Sequence, residues 1–484
     1  MMQPSTPLSH SRFVPHGPGS DAPQEAQRLE IPRAQRRSLA REHGFESLLT
    51  EGRLPEGLRG TLVRNGPGLF ESFGVPYPHL FEADGAPSAV RLENAGAFGA
   101  QRLVQSAELQ EERVSGKPLY GSVAAWPRRL VNGLKMRTKN TANTSVMSWQ
   151  GRLLGLMEAA PPTELDPTDL STLGVTRLGD VVRGPFSAHP HRVVGRRASY
   201  NFGVSYGREV HLDIYELPDI GDARHLARLP LPRPVMLHDF IATENHLVFL
   251  VAPAEVQVWR ALLGIGSFSK FFEWHPEHGT EVIVVPIDRP SEAKRFRTEA
   301  FYQWHFAGAF ERSGKLLLDL VAYPDFGSFA DLEQGTISEP GYYERVIVDP
   351  SEATLRRERL CSVPCEFPRI DPRYEGREFS QAWVVTARGE QTGLARIQTA
   401  TGACEEYLFP KGVFASEGIL VPRSTGAPEG DGWLLSLVYE ESTDRSHLAV
   451  FDTRELCAGP VFRAFFDHHV PVTFHGIWIG EAAA

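Results

Sequence analysis

The chain has 484 residues, of which 42% are hydrophobic and 23% charged, and this composition is typical of a globular protein. The formal net charge of -10 makes nucleic acid an unfavourable partner, because its phosphates would be repelled. The four cysteines, Cys361, Cys365, Cys404 and Cys457, are too few for a disulfide framework. They indicate reduced thiols in a cytoplasmic protein.

The beginning of the chain is rich in Pro, Ser, Gly and Gln and has no apolar stretch of signal-peptide length. We expect residues 1–35 to be disordered and residues 36–484 to form a single folded domain. The pattern PRAQRRSLAREHG (32–44) predicts a short helix that ends at Gly44, and SFSKFFEW (267–274) predicts another. No run of about 18 apolar residues occurs, so no membrane-spanning helix is predicted.

Short runs rich in Val, Ile, Leu and aromatic residues recur along the chain, and turn residues bound most of them. In chain order they are GRLLGLMEA (151–159), EVHLDIYELP (209–218), NHLVFLVAP (245–253), TEVIVVPIDRP (280–290), GKLLLDLVAYPD (314–325), YERVIVDPSE (343–352), SQAWVVTARGE (380–390), GWLLSLVYEES (432–442) and SHLAVFDTRE (446–455). Few helical patterns separate these strands. The runs therefore predict an all-β fold, either a sandwich, a barrel or a propeller, and favour a propeller-like arrangement.

Four of the seventeen histidines share a setting of mainly apolar or small neighbours beside a predicted strand. They are His189 in PFSAHPHR, His238 in VMLHDFIAT, His305 in YQWHFAGAF and His475 in VTFHGIW. Each alone is explained by a buried neutral imidazole bonded to a backbone carbonyl. A propeller brings distant strands to one axis, where four imidazoles would bind Fe(II), Zn, Cu or Ni. Both interpretations stay open here, because the spacing contains no HxH or HExxH motif.

Three glutamates interrupt apolar, strand-like stretches: Glu158 in LLGLMEAAPP, Glu366 in VPCEFPRI and Glu417 in VFASEGILVPR. An unpaired charge in such a stretch is costly. A metal-bound imidazole commonly donates its other N–H to a carboxylate, so these glutamates fit that role. The alternative is a solvated carboxylate at a strand edge or in a loop.

Ten motifs occur in order between about Gly57 and Trp478. They are LRGTLVRNGPGLF (58–70), HLFEADG (79–85), NTANTSVMSWQGRLLGLMEAAPPTELDPTDLSTLG (140–174), FSAHPHR (186–192), LHDFIATENHLVF (237–249), WHFAGAFE (304–311), CEFPRID (365–371), SEGILVPR (416–423), GDGWLLSLVYE (430–440) and VTFHGIW (472–478). In these motifs the chain resembles the carotenoid cleavage oxygenases, a family that includes apocarotenoid oxygenases and the retinoid isomerase of the eye.

The resemblance implies a seven-bladed β-propeller with a cap of helices and loops over one face. It also implies a single Fe(II) on the propeller axis, held by four histidines that match His189, His238, His305 and His475. The carboxylates that orient three of these ligands match Glu158, Glu366 and Glu417, and the ligand in the SAHP motif has none. Thr144 matches a threonine whose methyl group narrows access to a remaining iron position.

The expected activity is that of a non-haem Fe(II) dioxygenase. With O2 as co-substrate, it would cleave a carbon–carbon double bond of a carotenoid or apocarotenoid into two carbonyl products. Such an apolar polyene calls for an aromatic-lined tunnel. Stilbene-cleaving relatives carry a lysine before the first of the three glutamates, and Met157 occupies that position here, which favours a carotenoid-type substrate. The chain has FEADG where the family often has Phe-Asp-Gly-Asp-Gly, a change that we expect near the cap.

The segment VQVWRALLGIGSFSKFFEW (256–274) combines aromatic and aliphatic residues with Arg260 and Lys270. It is either a cap helix packed on the propeller or an apolar patch that dips into a membrane beside the tunnel mouth, and the resemblance favours peripheral membrane contact. Three other functions stay open: a stilbene-type cleaving dioxygenase, a non-cleaving isomerase of the same fold, and a metal-free propeller that serves as a binding scaffold.

Overall fold

Antiparallel strands are the main regular structure of the computed structural model, in which residues 29–263 and 265–481 are described. The first strands are β1 (Leu29–Glu30), β2 (His43–Ser47), β3 (Leu49–Gly52), β4 (Gly60–Asn65), β5 (Pro67–Leu69), β6 (Glu71–Ser72), β7 (Val75–Pro76), β8 (Asp84–Gly85), β9 (Ser88–Glu93) and β10 (Gly96–Gln101). The next are β11 (Ser145–Trp149), β12 (Arg152–Leu156), β13 (Thr163–Leu165), β14 (Thr172–Val175), β15 (His191–Val193), β16 (Ala198–Ser205), β17 (Val210–Pro218), β18 (Arg224–Leu231), β19 (Ile241–Ala242), β20 (His246–Val251), β21 (Ala254–Val256), β22 (Phe272–Trp274), β23 (Thr280–Pro286) and β24 (Lys294–Thr298). The last are β25 (Tyr302–Arg312), β26 (Lys315–Tyr323), β27 (Thr336–Ile337), β28 (Tyr342–Asp349), β29 (Thr354–Ile370), β30 (Gln381–Arg388), β31 (Gln391–Gln398), β32 (Cys404–Leu408), β33 (Val413–Ala415), β34 (Ile419–Pro422), β35 (Gly432–Glu440), β36 (Arg445–Asp452), β37 (Pro460–Phe465) and β38 (His475–Gly480).

Helices are few and short. The α-helices are α1 (Ala107–Ser115), α2 (Trp126–Leu134), α3 (Val258–Leu263) and α4 (Gly327–Gln334). Short 3-10 turns span Arg33–Arg36, Leu80–Glu82, Val194–Arg196, Phe268–Phe271, Pro276–His278, Pro290–Glu292, Pro372–Tyr374 and Thr453–Ala458. No helix in the described part of the chain is both long and apolar enough to cross a membrane. The prediction of a mostly β chain is confirmed.

Two helix predictions are wrong. Over residues 32–44 the chain forms only the 3-10 turn Arg33–Arg36, and His43 opens β2, which pairs with β10. Over 267–274 it forms one 3-10 turn followed by β22. Local helix propensity is weak, and strand pairing elsewhere in the fold overrides it.

The predicted disordered segment, residues 1–35, lies mostly outside the described residues. The part that is described, from Leu29 onward, starts with β1, and β1 pairs with β27.

Most strands form antiparallel sheets in which neighbours in sequence are neighbours in space. The larger sheets have the orders β2-β10-β9-β4-β38, β11-β12-β13-β14, β15-β16-β17-β18, β19-β20-β23-β24, β25-β26-β28-β29-β30-β31-β32 and β3-β37-β36-β35-β33, with β34 also on β35. The long strand β29 pairs with β28 through its first half and with β30 through its second half. The two ends of the chain interlock, because β38 pairs with β4 and β3 pairs with β37.

The core lies between adjacent sheets rather than in one central cluster. Phe202 of β16, Phe240 just before β19 and Phe249 of β20 pack together, with 5.1 Å between the ring centroids of Phe240 and Phe249. Inner strands such as β20 are buried on both faces, since a sheet covers each side. This is why their sequences are continuous apolar runs rather than alternating patterns.

Candidate metal centre

The structure brings His189, His238, His305 and His475 together, although they lie on separate sheets and loops. The ring centroid of His189 is 4.3 Å from that of His238, 5.1 Å from that of His305 and 4.7 Å from that of His475. The Nε2 atoms of His238 and His305 are 3.3 Å apart. All four side chains are buried. One nitrogen from each of His189, His305 and His475 lies within 4.8 Å of the others, close enough to share an ion.

Strand ends and irregular pairing present these imidazoles. His189 and His238 occupy loops just before β15 and β19, and His475 is the first residue of β38. His305 lies inside β25, where the register with β26 shifts between Gln303 and Phe306. Such a bulge re-aims a side chain that regular pleating would direct elsewhere.

A carboxylate touches the Nδ1 atom of three of the four histidines. Glu158 contacts Nδ1 of His238. Glu366 Oε2 is 2.6 Å from Nδ1 of His305, and Glu417 Oε1 is 3.0 Å from Nδ1 of His475. A carboxylate at Nδ1 selects the tautomer with its lone pair on Nε2.

The remaining histidine, His189, has a different arrangement. Its backbone N–H donates to Ser187 Oγ at 3.1 Å, while its Nε2 is buried and has no hydrogen-bond partner among the described residues. A buried nitrogen without a partner costs roughly 1–3 kcal/mol unless something occupies its lone pair. This nitrogen is therefore available to an ion at the centre of the cluster.

Burial and charge control the protonation of the cluster. Burial lowers the pKa of His475 to about 3, against the opposing effect of Glu417. Burial and the neighbouring His238 hold the pKa of His189 well below its ordinary value. Burial also lowers the pKa of His305, but Glu366, with Asp239 and Glu417, outweighs it and the net direction is upward. Neutral imidazoles are the form that binds a metal.

Two arginines that the sequence interpretation did not include hold Glu417. Arg64 Nη1 is 2.6 Å from Glu417 Oε2, and Arg369 Nε is 2.7 Å from Oε1. The Gly476 N–H also donates to Oε2 at 2.9 Å. Burial raises the pKa of Glu417, but Arg369, His475 and Arg64 lower it far more. The motifs LVRNGP and CEFPRID contain both arginines, but only the folded structure relates them to Glu417.

Glu158 and Glu366 differ from Glu417 in charge balance. Their ion pairs among the described residues are only with His238 and His305. The Tyr323 hydroxyl also donates to Glu366 at 3.2 Å. The cluster thus keeps two carboxylate charges without a paired lysine or arginine, which is the balance that a divalent cation would neutralise.

Thr144 is buried immediately before β11. Its backbone N–H donates to the Leu156 carbonyl at 3.0 Å, and its hydroxyl donates to Asn143 Oδ1 at 3.1 Å. With the hydroxyl engaged by Asn143, the methyl group is the free end of the side chain. The effect of that methyl group on the metal position stays a prediction.

Aromatic side chains extend from the imidazole cluster toward α3. Trp304 packs edge-on against His238 at 4.6 Å between centroids, and Phe81 contacts both Trp304 and Phe474. Phe329 then connects Phe81 with Phe268, which opens the 3-10 turn after α3. This arrangement provides an apolar wall between the cluster and the surface.

The end of this wall lies beside an exposed apolar patch on α2 and α3. Its exposed members are Trp126, Val131, Leu134, Met136, Val258, Trp259, Leu263 and Ile265. Phe268 and Phe272 instead pack against the core, so only part of the 256–274 segment is exposed. The patch predicted from the sequence covers residues 256–274 and does not include α2. The stretch WPRRLVNGLKM (126–136) nevertheless has the same mixture of apolar and basic residues as that segment.

Comparison with known proteins identifies the family of this chain. Residues 36–480 match the family model described as retinal pigment epithelial membrane protein, which is the carotenoid cleavage oxygenase family. The chain belongs to this family.

Individual relatives support the assignment. The chain is 31% identical to apocarotenoid-15,15'-oxygenase of Synechocystis sp., over 88% of this chain and 92% of that protein. It is 26% identical to resveratrol cleavage oxygenase 1 of Aspergillus fumigatus, over 78% of this chain and 80% of that protein. The crystal structure of cobalt-substituted Synechocystis ACO superposes with a TM-score of 0.84 at 29% identity, covering 94% of this chain and all of that one.

Proposed function

We propose that this protein is a non-haem Fe(II) dioxygenase that cleaves a carbon–carbon double bond of a carotenoid or apocarotenoid into two carbonyl products. The observation that carries the proposal is the convergence of four buried imidazoles, three of them held at Nδ1 by carboxylates. Family membership and the similarity to apocarotenoid-15,15'-oxygenase support the substrate class.

The residues present fit an iron ion. His189, His238, His305 and His475 would hold it through nitrogen, and the unpartnered Nε2 of His189 would gain a partner. The charges of Glu158 and Glu366 would balance a divalent cation, whereas Arg64 and Arg369 already balance Glu417. Fe(II) in such a site supplies the activation of O2 needed to oxidise an alkene.

The protein's own side chains would bind the metal, orient its ligands and shield the site from water. Glu158, Glu366 and Glu417 fix the ring orientation of three ligands and keep Nδ1 protonated. Trp304 keeps water away from one side of the cluster, since it is a buried apolar surface beside His238. We assign Thr144 the role of narrowing access to the metal with its methyl group.

The aromatic wall suits a long apolar polyene. Trp304, Phe81 and Phe329 offer ring faces and edges, and a conjugated chain packs well on such surfaces. Met157 packs with its sulfur 3.3 Å from the Thr141 N–H, so this position carries no ammonium to bind a phenol. Both features favour a carotenoid-type substrate over a hydroxylated stilbene.

We infer a seven-bladed propeller formed by residues 36–484, with α1 to α4 and their loops as a cap. The succession of antiparallel sheets supports this architecture when β29 is shared between two blades. The pairing of β38 with β4 and of β3 with β37 supports closure by the two chain ends.

We also propose peripheral membrane contact through the exposed patch on α2 and α3. Trp126 and Trp259 are more than half exposed, and Arg128, Arg129 and Arg260 lie among these residues. Such a surface partitions into a lipid interface, where an apolar substrate is dissolved. The variant Trp126→Glu/Trp259→Glu should float less with anionic liposomes than wild type, and equal flotation would disprove the contact. Trp126 and Trp259 suit this test because they are exposed, whereas Phe271 and Phe272 of the 256–274 segment are half-buried.

Iron loading tests the metal site. Wild-type protein incubated with Fe(II) without oxygen should bind one equivalent, and His238→Ala should lose most of it. His225→Ala is the control, because His225 is partly exposed and pairs with Asp213 at 2.8 Å. A wild-type protein that acquires no iron would support the metal-free scaffold instead.

Product analysis tests the reaction. The iron-loaded protein is incubated aerobically with carotenoids, apocarotenals and stilbenes, and products are identified by mass. Two carbonyl fragments from a carotenoid-type substrate support the proposal. Fragments from stilbenes alone would assign the protein to phenylpropanoid cleavage, and a product of unchanged mass would indicate an isomerase.

A further inference from the structure

A second group of metal-binding side chains lies on the turn that follows β22. His275, Glu277 and His278 each offer an atom, and these atoms all lie within 4.8 Å of one another. The 3-10 turn Pro276–His278 places the three residues on one short loop. The rings of His275 and His278 are stacked with 5.2 Å between their centroids. This group is separate from the four-histidine cluster.

The spacing suits a tetrahedral zinc ion. Donor atoms at usual zinc bond lengths are separated by about 3.4 Å. Glu277 Oε1 is 3.0 Å from Nδ1 of His275 and 3.9 Å from Nε2 of His278. A shift of about half an ångström in partly exposed side chains would bring Glu277 to coordination distance with both imidazoles.

A carboxylate outside the group orients one of its imidazoles. Glu255 Oε1 is 2.6 Å from Nδ1 of His278, which leaves Nε2 of that ring facing Glu277. Arg233 Nε lies 3.2 Å from the same Glu255 oxygen. This is the arrangement found for a metal-bound histidine, in which a carboxylate fixes the ring and its tautomer. Glu255 belongs to β21, so this strand and the turn after β22 both contribute.

We propose that His275, Glu277 and His278 form a second divalent-cation site, with Zn2+ as the ion that this N2O donor set matches best. The fourth position is left for water. Glu273 Oε2, 3.8 Å from Nε2 of His275, lies beside the ring nitrogen that does not face Glu277 and would hold its N–H. Two imidazoles with a carboxylate favour zinc over Ca2+ or Mg2+, which prefer oxygen donors.

The position of the site indicates that a bound cation would stabilise the strands on either side of α3. β21 and β22 form a two-stranded ribbon, in which Ala254 pairs with Trp274 and Val256 with Phe272. The residues between these strands include α3 and its exposed apolar surface. A cation bound at His275 and His278, with Glu255 holding His278, would clamp the base of this ribbon and reduce the mobility of α3.

Metal stoichiometry tests the site in the full chain already loaded with iron. Wild type titrated with ZnCl2 at micromolar concentration should bind one equivalent of zinc while its iron content, measured in the same sample, stays constant. His275→Ala/His278→Ala should lose this equivalent, whereas His225→Ala should keep it. Glu255→Gln should weaken zinc binding by about 10-fold or more. Circular dichroism verifies that each variant is folded.

Hydrogen exchange provides a second readout. Zinc should slow exchange of backbone amides within residues 257–271 of wild type and leave the double variant unchanged. The proposal is overturned if wild type binds no zinc beyond exchange with iron, or if the double variant binds it equally well. It is also overturned if zinc binds but leaves exchange in this segment unaffected, because the clamp would then be absent.

Discussion

At the scale of single residues, the carboxylates that hold the imidazoles have measurable roles. Glu366→Gln should keep the fold and weaken iron affinity by about 10- to 100-fold, because the amide holds Nδ1 of His305 less strongly. Iron titration measures this change. Glu311→Gln is a matched control, since Glu311 also contacts a histidine Nδ1, that of His246 at 3.0 Å, outside the cluster. Equal iron affinity in both variants would remove Glu366 from its assigned role.

Arg64 is expected to matter for stability. Its side chain and that of Glu417 are both 1% exposed. Arg64→Met removes one charge of a buried pair and leaves Arg369 as the remaining arginine beside Glu417, so the loss should be about 3 kcal/mol, at the lower end for breaking a buried pair. Urea denaturation should therefore show a large loss in the free energy of unfolding. Arg369→Met is the comparison, and its loss should be smaller because Arg369 is 35% exposed. The reverse order would contradict this account of the pair.

Glu311, which lies away from the metal centre, should make the free energy of unfolding depend on pH. Burial raises the pKa of Glu311, but hydrogen bonds with His246, Thr243 and Asn245 have the larger, opposite effect. The net result is a pKa lowered to about 2. The unfolded chain takes up a proton near the ordinary value of about 4.3, so the contribution to stability is present above that pH. It is lost as the pH falls toward the folded value.

The measurement compares wild type with Glu311→Gln by urea denaturation between about pH 5 and pH 3. The free energy of unfolding should fall less steeply with decreasing pH in the variant. Parallel curves for the two proteins would mean that Glu311 does not supply this contribution.

At the scale of elements, α2 and α3 depend on a close approach at Gly133. A Cβ at this position would lie 2.1 Å from the backbone oxygen of Leu262. Gly133→Ala should push the helices apart, destabilise the cap by about 1–3 kcal/mol and reduce liposome flotation. Gly426→Ala is the control, because a Cβ there meets nothing within 4 Å. Unchanged flotation and unchanged amide exchange in both helices would contradict this view of the contact.

Elements also show why helix prediction failed where strand prediction worked. The runs around β20, β26 and β35 are apolar enough to be recognised without any partner. The segment before β2 has helix-forming residues, but the partner strand β10 determines the extended conformation that follows. A partner of this kind is distant in sequence, so local patterns contain no information on it.

At the scale of the whole molecule, the last strand, β38, contributes both to the fold and to the metal centre. β38 pairs with β4 from His475 to Gly480, so its removal exposes an edge of the first sheet and takes away one imidazole. Truncation after Val472 should lower the unfolding midpoint and leave a three-histidine site that holds iron poorly. Truncation after Gly480 keeps β38 and should match wild type in iron content and thermal unfolding. Equal behaviour of the two truncated chains would contradict this role.

The mostly β character, the family and the candidate donors could all be predicted from the sequence, because apolar runs, turn residues and motifs are local properties of the chain. The contacts that these donors make depend on the tertiary structure. Only strand pairing and loop placement bring His189 and His475 to 4.7 Å between ring centroids. Likewise, only folding brings Arg64 into contact with Glu417, and Glu255 of the β21–β22 ribbon into contact with His278. Proximity between residues far apart in sequence is a property of the packed chain, and a single sequence does not contain it in readable form.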